Sequence, residues 1–84
     1  MSTKAIGTQE LVFAKIIGFE EGKNSIAIHF EHATNGSRLI HRLSMDKLKY
    51  KNCYKQLEAG QTYIIVEELV KPTRWVWTGC ILCT

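Results

Sequence analysis

The stretch SIAIHFEHATNGSRLIHRL, residues 25–43, decides the fold class of this chain. Its first half alternates apolar with polar or small side chains, which is the pattern of a strand that buries one face. Asn35-Gly36 follows as a strong hairpin signal, because both residues tolerate positive φ at the centre of a two-residue turn. The second half, residues 37–43, alternates again and predicts the returning strand. The stretch therefore predicts an antiparallel hairpin.

Three further strands flank this hairpin. Residues 11–19 precede it as a mostly apolar strand, in which Gly18 predicts a bulge or a sharp bend. Residues 62–70 and 74–82 follow it, separated by the turn Lys71-Pro72-Thr73. The chain is thus expected to be rich in β-structure.

Between residues 44 and 60 the apolar pattern changes to a helical period. The residues that would share one helical face are Tyr50, Cys53, Tyr54 and Leu57. Ser44 is the expected N-cap, and Asp46 in the first turn suits the positive end of the helix dipole. Gly60 is placed where a left-handed C-cap would end the helix.

The predicted order is three strands, one helix and two strands, in a single domain over residues 10–84 after a flexible lead-in of residues 1–9. Lys15–Phe19 with its glycine, the helix between strands three and four, and Glu58–Tyr63 leading into strand four resemble the OB-fold, a five-stranded Greek-key barrel. The resemblance is one of topology and implies a mainly β, OB-like barrel of five antiparallel strands. Another small barrel, such as an SH3-like one, and an open α+β sheet remain alternatives.

Composition narrows the function classes. The 84 residues carry a net charge of +3, which permits nucleic-acid or acidic-protein partners. No apolar run approaches the roughly 20 residues of a membrane span, no secretory leader is recognisable, and three cysteines do not form a disulfide framework. We expect a cytoplasmic protein with no cofactor and no membrane partner.

The expected function is non-catalytic binding of single-stranded DNA or RNA. Aromatic side chains would stack on bases and basic side chains would meet phosphates, as the OB-fold resemblance implies for the surface of strands two and three and the flanking loops. The candidate residues are Lys15, His29, Arg38, Arg42, Arg74, Trp75 and Trp77, with Phe13 as a further stacking side chain. Trp75 and Trp77 would share one face of the last strand, and the alternative is that both simply fill the core.

Other functions have weaker support in the sequence. A protein-interaction module, such as a small inhibitor, adaptor or subunit, could use the same Trp and Arg side chains as a hot spot, and edge strands could pair in a homodimer. Cys80 and Cys83 have the spacing of a zinc ligand pair, but residues three apart on a strand point to opposite faces, so we predict no metal site. No phosphate loop, nucleophile elbow or paired carboxylates suggest an enzyme.

Overall fold

The structure, a computed structural model, describes residues 4–44 and 51–83. Its elements are β1 (Gln9–Glu21), β2 (Ser25–His32), β3 (Arg38–Ser44), α1 (Lys51–Lys55), β4 (Thr62–Lys71) and β5 (Arg74–Leu82). The strands form one antiparallel five-stranded sheet in the order β3-β2-β1-β4-β5. The prediction of a mainly β chain with one helix between strands three and four is confirmed. Within the described ranges no ladder joins β3 to β5, so the hydrogen bonding of the sheet is open between these two edges.

The long strand β1 is the centre of the sheet and carries the predicted bulge. It pairs with β4 along residues 9–15 and with β2 along residues 14–21. The register with β2 shifts between Ile16 and Gly18, which leaves one extra residue on β1. A bulge of this kind bends the strand and increases its twist, so β1 can serve two neighbours with different directions.

The hairpin between β2 and β3 is confirmed, but its turn differs from the prediction. Residues 33–37 connect the strands, and the His32 amide donates to the Ser37 carbonyl at 2.8 Å. Gly36 has a φ of +77°, whereas Asn35 is not in the left-handed region. The prediction of a two-residue turn with positive φ at both Asn35 and Gly36 is therefore wrong. Instead the Asn35 side-chain oxygen accepts a hydrogen bond from the Ser37 amide at 2.9 Å, a local bond that Asn forms readily in turns.

The described helix ends earlier than expected. It ends at Lys55, and Gly60 lies in a separate turn with φ +91°, so its predicted role as the helix C-cap is wrong. The reason is that the backbone around Gly60 forms hydrogen bonds with β1 instead of with the helix. The Gly60 amide donates to the Ile16 carbonyl at 2.7 Å, and the Ile16 amide donates to Gln61 at 2.9 Å, which ties the segment to β1. The predicted first turn, with Asp46, and the stripe residue Tyr50 lie outside the described residues.

The core lies between one face of the sheet and α1. On β1 the side chains of Val12, Ala14 and Ile16 are buried, and the odd-numbered residues between them are exposed. From the helical side come Cys53, Tyr54 and Leu57, all buried, which confirms the described part of the predicted stripe. Small and β-branched residues on β1 leave room for the larger aromatic side chains of β2, α1 and β5.

Part of the predicted flexible lead-in is hydrogen-bonded to β4. The Gly7 amide donates to the Leu69 carbonyl at 2.8 Å, and the Leu69 amide donates to the Thr8 carbonyl at 2.9 Å. This contact brings residues 4–6 beside the start of β5. Across the described residues, no helix is long and apolar enough to cross a bilayer.

Candidate nucleic-acid interface

An aromatic cluster bridges the open edges of the sheet. The ring of His41 on β3 stacks on the ring of Trp77 on β5, with centroids 4.2 Å apart and an angle of 6° between the planes. The hydroxyl oxygen of Tyr54 lies 2.9 Å from His41 Nε2 and accepts a hydrogen bond from the Trp77 backbone amide at 3.0 Å. One helical side chain therefore contacts both edge strands where no ladder joins them.

Burial sets the charge state of this cluster. Loss of hydration, and secondarily the positive charge of Arg74, lowers the pKa of the His41 imidazole to about 4. The imidazole is therefore neutral at pH 7. A neutral ring can stack on Trp77 without the cost of a buried charge.

A groove runs along the gap between β3 and β5. Its first part, about 450 Å³, is lined by Ile40, His41 and Arg42 of β3 and by Lys71, Thr73, Arg74 and Trp75 at the β4–β5 turn. Its second part, about 410 Å³, reaches the β1–β2 turn at residues 23–25. Arg42 and Arg74 line both parts, so we treat them as one surface, the β3–β5 groove.

Among the residues that the structure describes, those that line the β3–β5 groove carry only positive charges. Its charged lining residues within the ranges 4–44 and 51–83 are Lys23, Arg42, Lys71 and Arg74, and no Asp or Glu from these ranges lines it. The adjacent pair Glu67 and Glu68, which the sequence places on the neighbouring strand, lines neither part of the groove. A concave surface with charges of one sign concentrates counter-ions, so this groove attracts anions.

The two glutamates of β4 have partners elsewhere. Glu67 Oε2 accepts a hydrogen bond from Trp77 Nε1 at 3.3 Å, and Glu68 Oε1 accepts one from the Gln9 side chain at 3.0 Å. Burial raises the pKa of the Glu67 carboxyl above its usual value. The carboxylates of β4 therefore do not neutralise the groove.

Trp75 lies where the groove meets a second depression. Its side chain is half-buried, and it also lines a pocket of about 690 Å³ together with Lys4, Ile6, Glu10, Glu67, Leu69 and Pro72. Lys4 Nζ is 5.5 Å from the centroid of the Trp75 ring, within the range of a cation–π contact, and also contacts Glu10. Trp75 is thus an aromatic side chain with accessible surface beside cations.

The structure brings together only part of the predicted site. Arg42, Arg74 and Trp75 line one groove. Trp77 is fully buried, so it fills the core, as the alternative interpretation of the two tryptophans predicts, and a base cannot stack on its ring. The expected pair of exposed indoles is wrong because the rings of Phe30, His41 and Tyr54 cover Trp77.

Three other predicted residues lie outside the groove. Lys15 is exposed and pairs across the ladders with Glu31, which in turn pairs with Arg38. His29 Nε2 lies 3.2 Å from a carboxylate oxygen of Glu20. Each of these positions therefore has an acidic residue directly beside it. Phe13 is 42% exposed but lies on β1, also outside the groove.

The candidate residues predicted from the sequence do not include two residues that line the groove, Lys23 and Lys71. Both lie in or beside turns that the sequence predicts, so each looked like an ordinary solvated charge. The available signal was the OB-fold resemblance, which implies that the β1–β2 and β4–β5 loops take part in binding. Only the curvature of the sheet places these two turns at one groove.

Cys80 and Cys83, which have the spacing of a zinc ligand pair, have different surroundings in the structure. Cys80 Sγ lies 3.5 Å from the Cys53 carbonyl oxygen, whereas Cys83 is exposed. In the part of the chain that the structure describes, no three potential ligands form a cluster that could hold a metal ion.

No protein-family model matches this chain, and no curated protein or solved structure is significantly similar to it. The functional inference therefore depends on the residues of this chain alone.

Proposed function

We propose that this protein is an OB-like small barrel that binds single-stranded DNA or RNA in the β3–β5 groove, without strong sequence preference. The observation that carries the proposal is the meeting of Lys23, Arg42, Lys71 and Arg74 with the half-buried indole of Trp75 along one concave surface. Phosphates would contact the cations, and a base would stack on the exposed part of the indole.

The shape of the sheet supports the barrel part of the proposal. The open edges of the sheet are β3 and β5, the two strands that the His41–Trp77 stack brings within contact distance. In OB-folds the ligand lies over strands two and three and is flanked by the loops before strand two and after strand four. Lys23 lies in the first of these loops here, and Lys71 is the last residue of β4, directly before the second.

Electrostatics supports nucleic acid over a neutral ligand. Four cations line the groove, and in the described part of the chain no carboxylate does, so the groove has the charge that a phosphate backbone requires. Contacts to the phosphate backbone carry no sequence information, and aromatic stacking tolerates any base. The expected ligand is therefore a single strand with little base preference.

The test is fluorescence anisotropy with labelled oligo-dT and oligo-U at about 50 and 200 mM salt, where phosphate-dominated binding weakens strongly as salt rises. Arg42→Gln and Arg74→Gln should each reduce the slope of log Kobs against log salt by about 1. Trp75→Ala should weaken binding by about 1–3 kcal/mol at both salt concentrations, because stacking does not depend on counter-ion release.

Lys15→Gln is the matched control. It removes one exposed positive charge that lies outside the groove, so the net charge falls by the same amount as in the arginine variants. Binding by Lys15→Gln should remain close to that of the wild type. Equal weakening by Lys15→Gln and Arg42→Gln, or no binding of either oligonucleotide at the lower salt, would refute the groove as the site.

A protein-binding module is the second candidate function, and the pocket of about 690 Å³ beside Trp75 favours it. Its walls combine apolar side chains, among them Leu69 and Pro72, with the carboxylates of Glu10 and Glu67. An aromatic ring with apolar and charged neighbours is typical of a hot spot. A partner protein that is retained by Arg42→Gln and lost by Trp75→Ala would support this candidate over nucleic acid.

A further inference from the structure

The outward face of β1, β4 and β5 is apolar, although it lies opposite the core. Leu11, Phe13 and Ile81 are 64%, 42% and 68% exposed. Residues paired across an antiparallel ladder lie on the same face of a sheet, and the ladders pair Leu11 with Val66, Phe13 with Ile64, and Ile64 with Ile81. These residues (Leu11, Phe13, Ile64, Val66 and Ile81) form one continuous surface, the outer apolar face.

The two ends of the outer apolar face carry opposite charges. At one end Lys15 lies between Thr62 and Glu31, and Arg38 pairs with Glu31, so the charges there sum to +1. At the other end Gln9 pairs with Glu68. The Gln9 side chain donates to Glu68 Oε1 at 3.0 Å, which holds that carboxylate at the edge of the face. An apolar centre between a cation and an anion is complementary to itself when one copy is turned end for end.

We propose that the outer apolar face binds a second copy of this chain, in a dimer whose two-fold axis crosses the strands near the middle of the face. A two-fold interface must be complementary to itself, because both copies contribute the same residues. With strands antiparallel across the interface, Lys15 of each copy faces Glu68 of the other, and the apolar residues meet at the centre. If the strands were parallel across the interface, Lys15 would instead face Lys15 and Glu68 would face Glu68.

The size of the face predicts a weak dimer. The ladder from Gln9 to Lys15 has seven paired positions, and at about 3.3 Å per residue it spans about 20 Å. Three strands about 4.8 Å apart add a width on the order of 10–15 Å. The resulting area, a few hundred Å² per copy, is below the roughly 800 Å² per partner of a standard stable interface. Association is therefore expected at micromolar or higher concentrations.

This dimer differs from the edge-strand dimer that the sequence suggested. The edges β3 and β5 lie beside the β3–β5 groove, and none of the five residues of the outer apolar face lines that groove. Dimerisation through the face consequently leaves both grooves open. The inference does not depend on what the grooves bind.

Sedimentation velocity of the intact protein between about 5 and 500 μM tests the proposal. The wild type should shift from monomer to dimer over this range, and Leu11→Lys and Ile81→Lys should remain monomeric at concentrations at which the wild type is dimeric. Ile40→Lys is the matched control, because Ile40 is 48% exposed on β3 and lies outside the outer apolar face. It should dimerise like the wild type. A wild type that is monomeric throughout would overturn the proposal.

Charge reversal tests the orientation without introducing a charge into the apolar centre. At about 50 mM salt, Lys15→Glu and Glu68→Lys should each weaken the dimer several-fold, and the double variant should restore it. Failure of the double variant to restore association, or equal loss in Ile40→Lys and Leu11→Lys, would overturn the antiparallel arrangement or the face itself. Circular dichroism of every variant establishes that it is folded.

Discussion

Acid should destabilise this protein through a single buried imidazole, and His41→Gln should remove that effect. In the folded protein burial lowers the pKa of His41 to about 4, against 6.5 for an unperturbed histidine. The unfolded chain therefore takes up a proton between pH 6.5 and 4 that the folded chain does not. Stability due to the neutral imidazole is present above pH 6.5 and is lost as the pH falls towards 4.

The expected size of this effect follows from the difference between the two pKa values. At about 1.4 kcal/mol per pKa unit, the gap between 6.5 and about 4 corresponds to about 3 kcal/mol of unfolding free energy lost between pH 7 and 4. A domain of this length has a total stability of roughly 4–13 kcal/mol, so the loss is a large fraction of the whole. The opposing contribution of Glu67, whose pKa is raised, is present in wild type and variant alike.

The assay is urea unfolding followed by tryptophan fluorescence at several pH values from 7 to 4. His41→Gln loses the ring stack and will be less stable at pH 7. Between pH 7 and 4, however, the wild type should lose about 3 kcal/mol more of its unfolding free energy than His41→Gln does. Tyr54→Phe is the control, because it removes the hydroxyl beside His41 Nε2 and keeps the titrating imidazole. An equal pH dependence in the wild type and His41→Gln would refute the reasoning.

Three further outcomes follow from burial and backbone geometry. Trp77→Ala should cost about 3–5 kcal/mol in urea unfolding, because the indole is fully buried and its removal leaves a cavity. Gly36→Ala should lower the unfolding free energy by about 1–2 kcal/mol, since φ is +77° there, whereas Gly18→Ala, with ordinary φ and nothing within 4 Å of an added Cβ, should leave it nearly unchanged. Cys83, which is exposed, should react with a thiol reagent in the native protein, while Cys53 should react only on unfolding, because burial raises its thiol pKa to about 12.

The strands were predicted well because their signals are local. The predicted bounds of the last strand, residues 74–82, agree with β5, and the bulge at Gly18 is confirmed. Alternation of apolar side chains and turn residues acts over a few positions, so the chain carries it without tertiary context. The prediction that the helix ends at Gly60 was wrong for the opposite reason, because the Gly60 amide donates to the carbonyl of Ile16 on β1, a strand that is distant in the sequence.

The candidate site was predicted less well, and Trp75 and Trp77 illustrate why. Their spacing places them on one face, and they pair regularly with Leu69 and Glu67 of β4, but the rings of other elements bury Trp77 completely and leave Trp75 half-buried. Lys23 and Lys71 were missed because their importance comes from a neighbourhood that forms only in the folded sheet. Local patterns state which face a residue is on, and not which distant residues share its surroundings.

The class of fold, the order of the elements and the positive charge available for a ligand could be predicted from the amino-acid sequence. The tertiary structure decided where that charge acts. Arg42 and Arg74 are far apart in the chain, and they line one groove only because β1 carries β2 and β3 on one side and β4 and β5 on the other. The physical reason is that side-chain alternation depends on neighbours along the chain, whereas a binding groove depends on how the sheet curves and on which of its edges remain open.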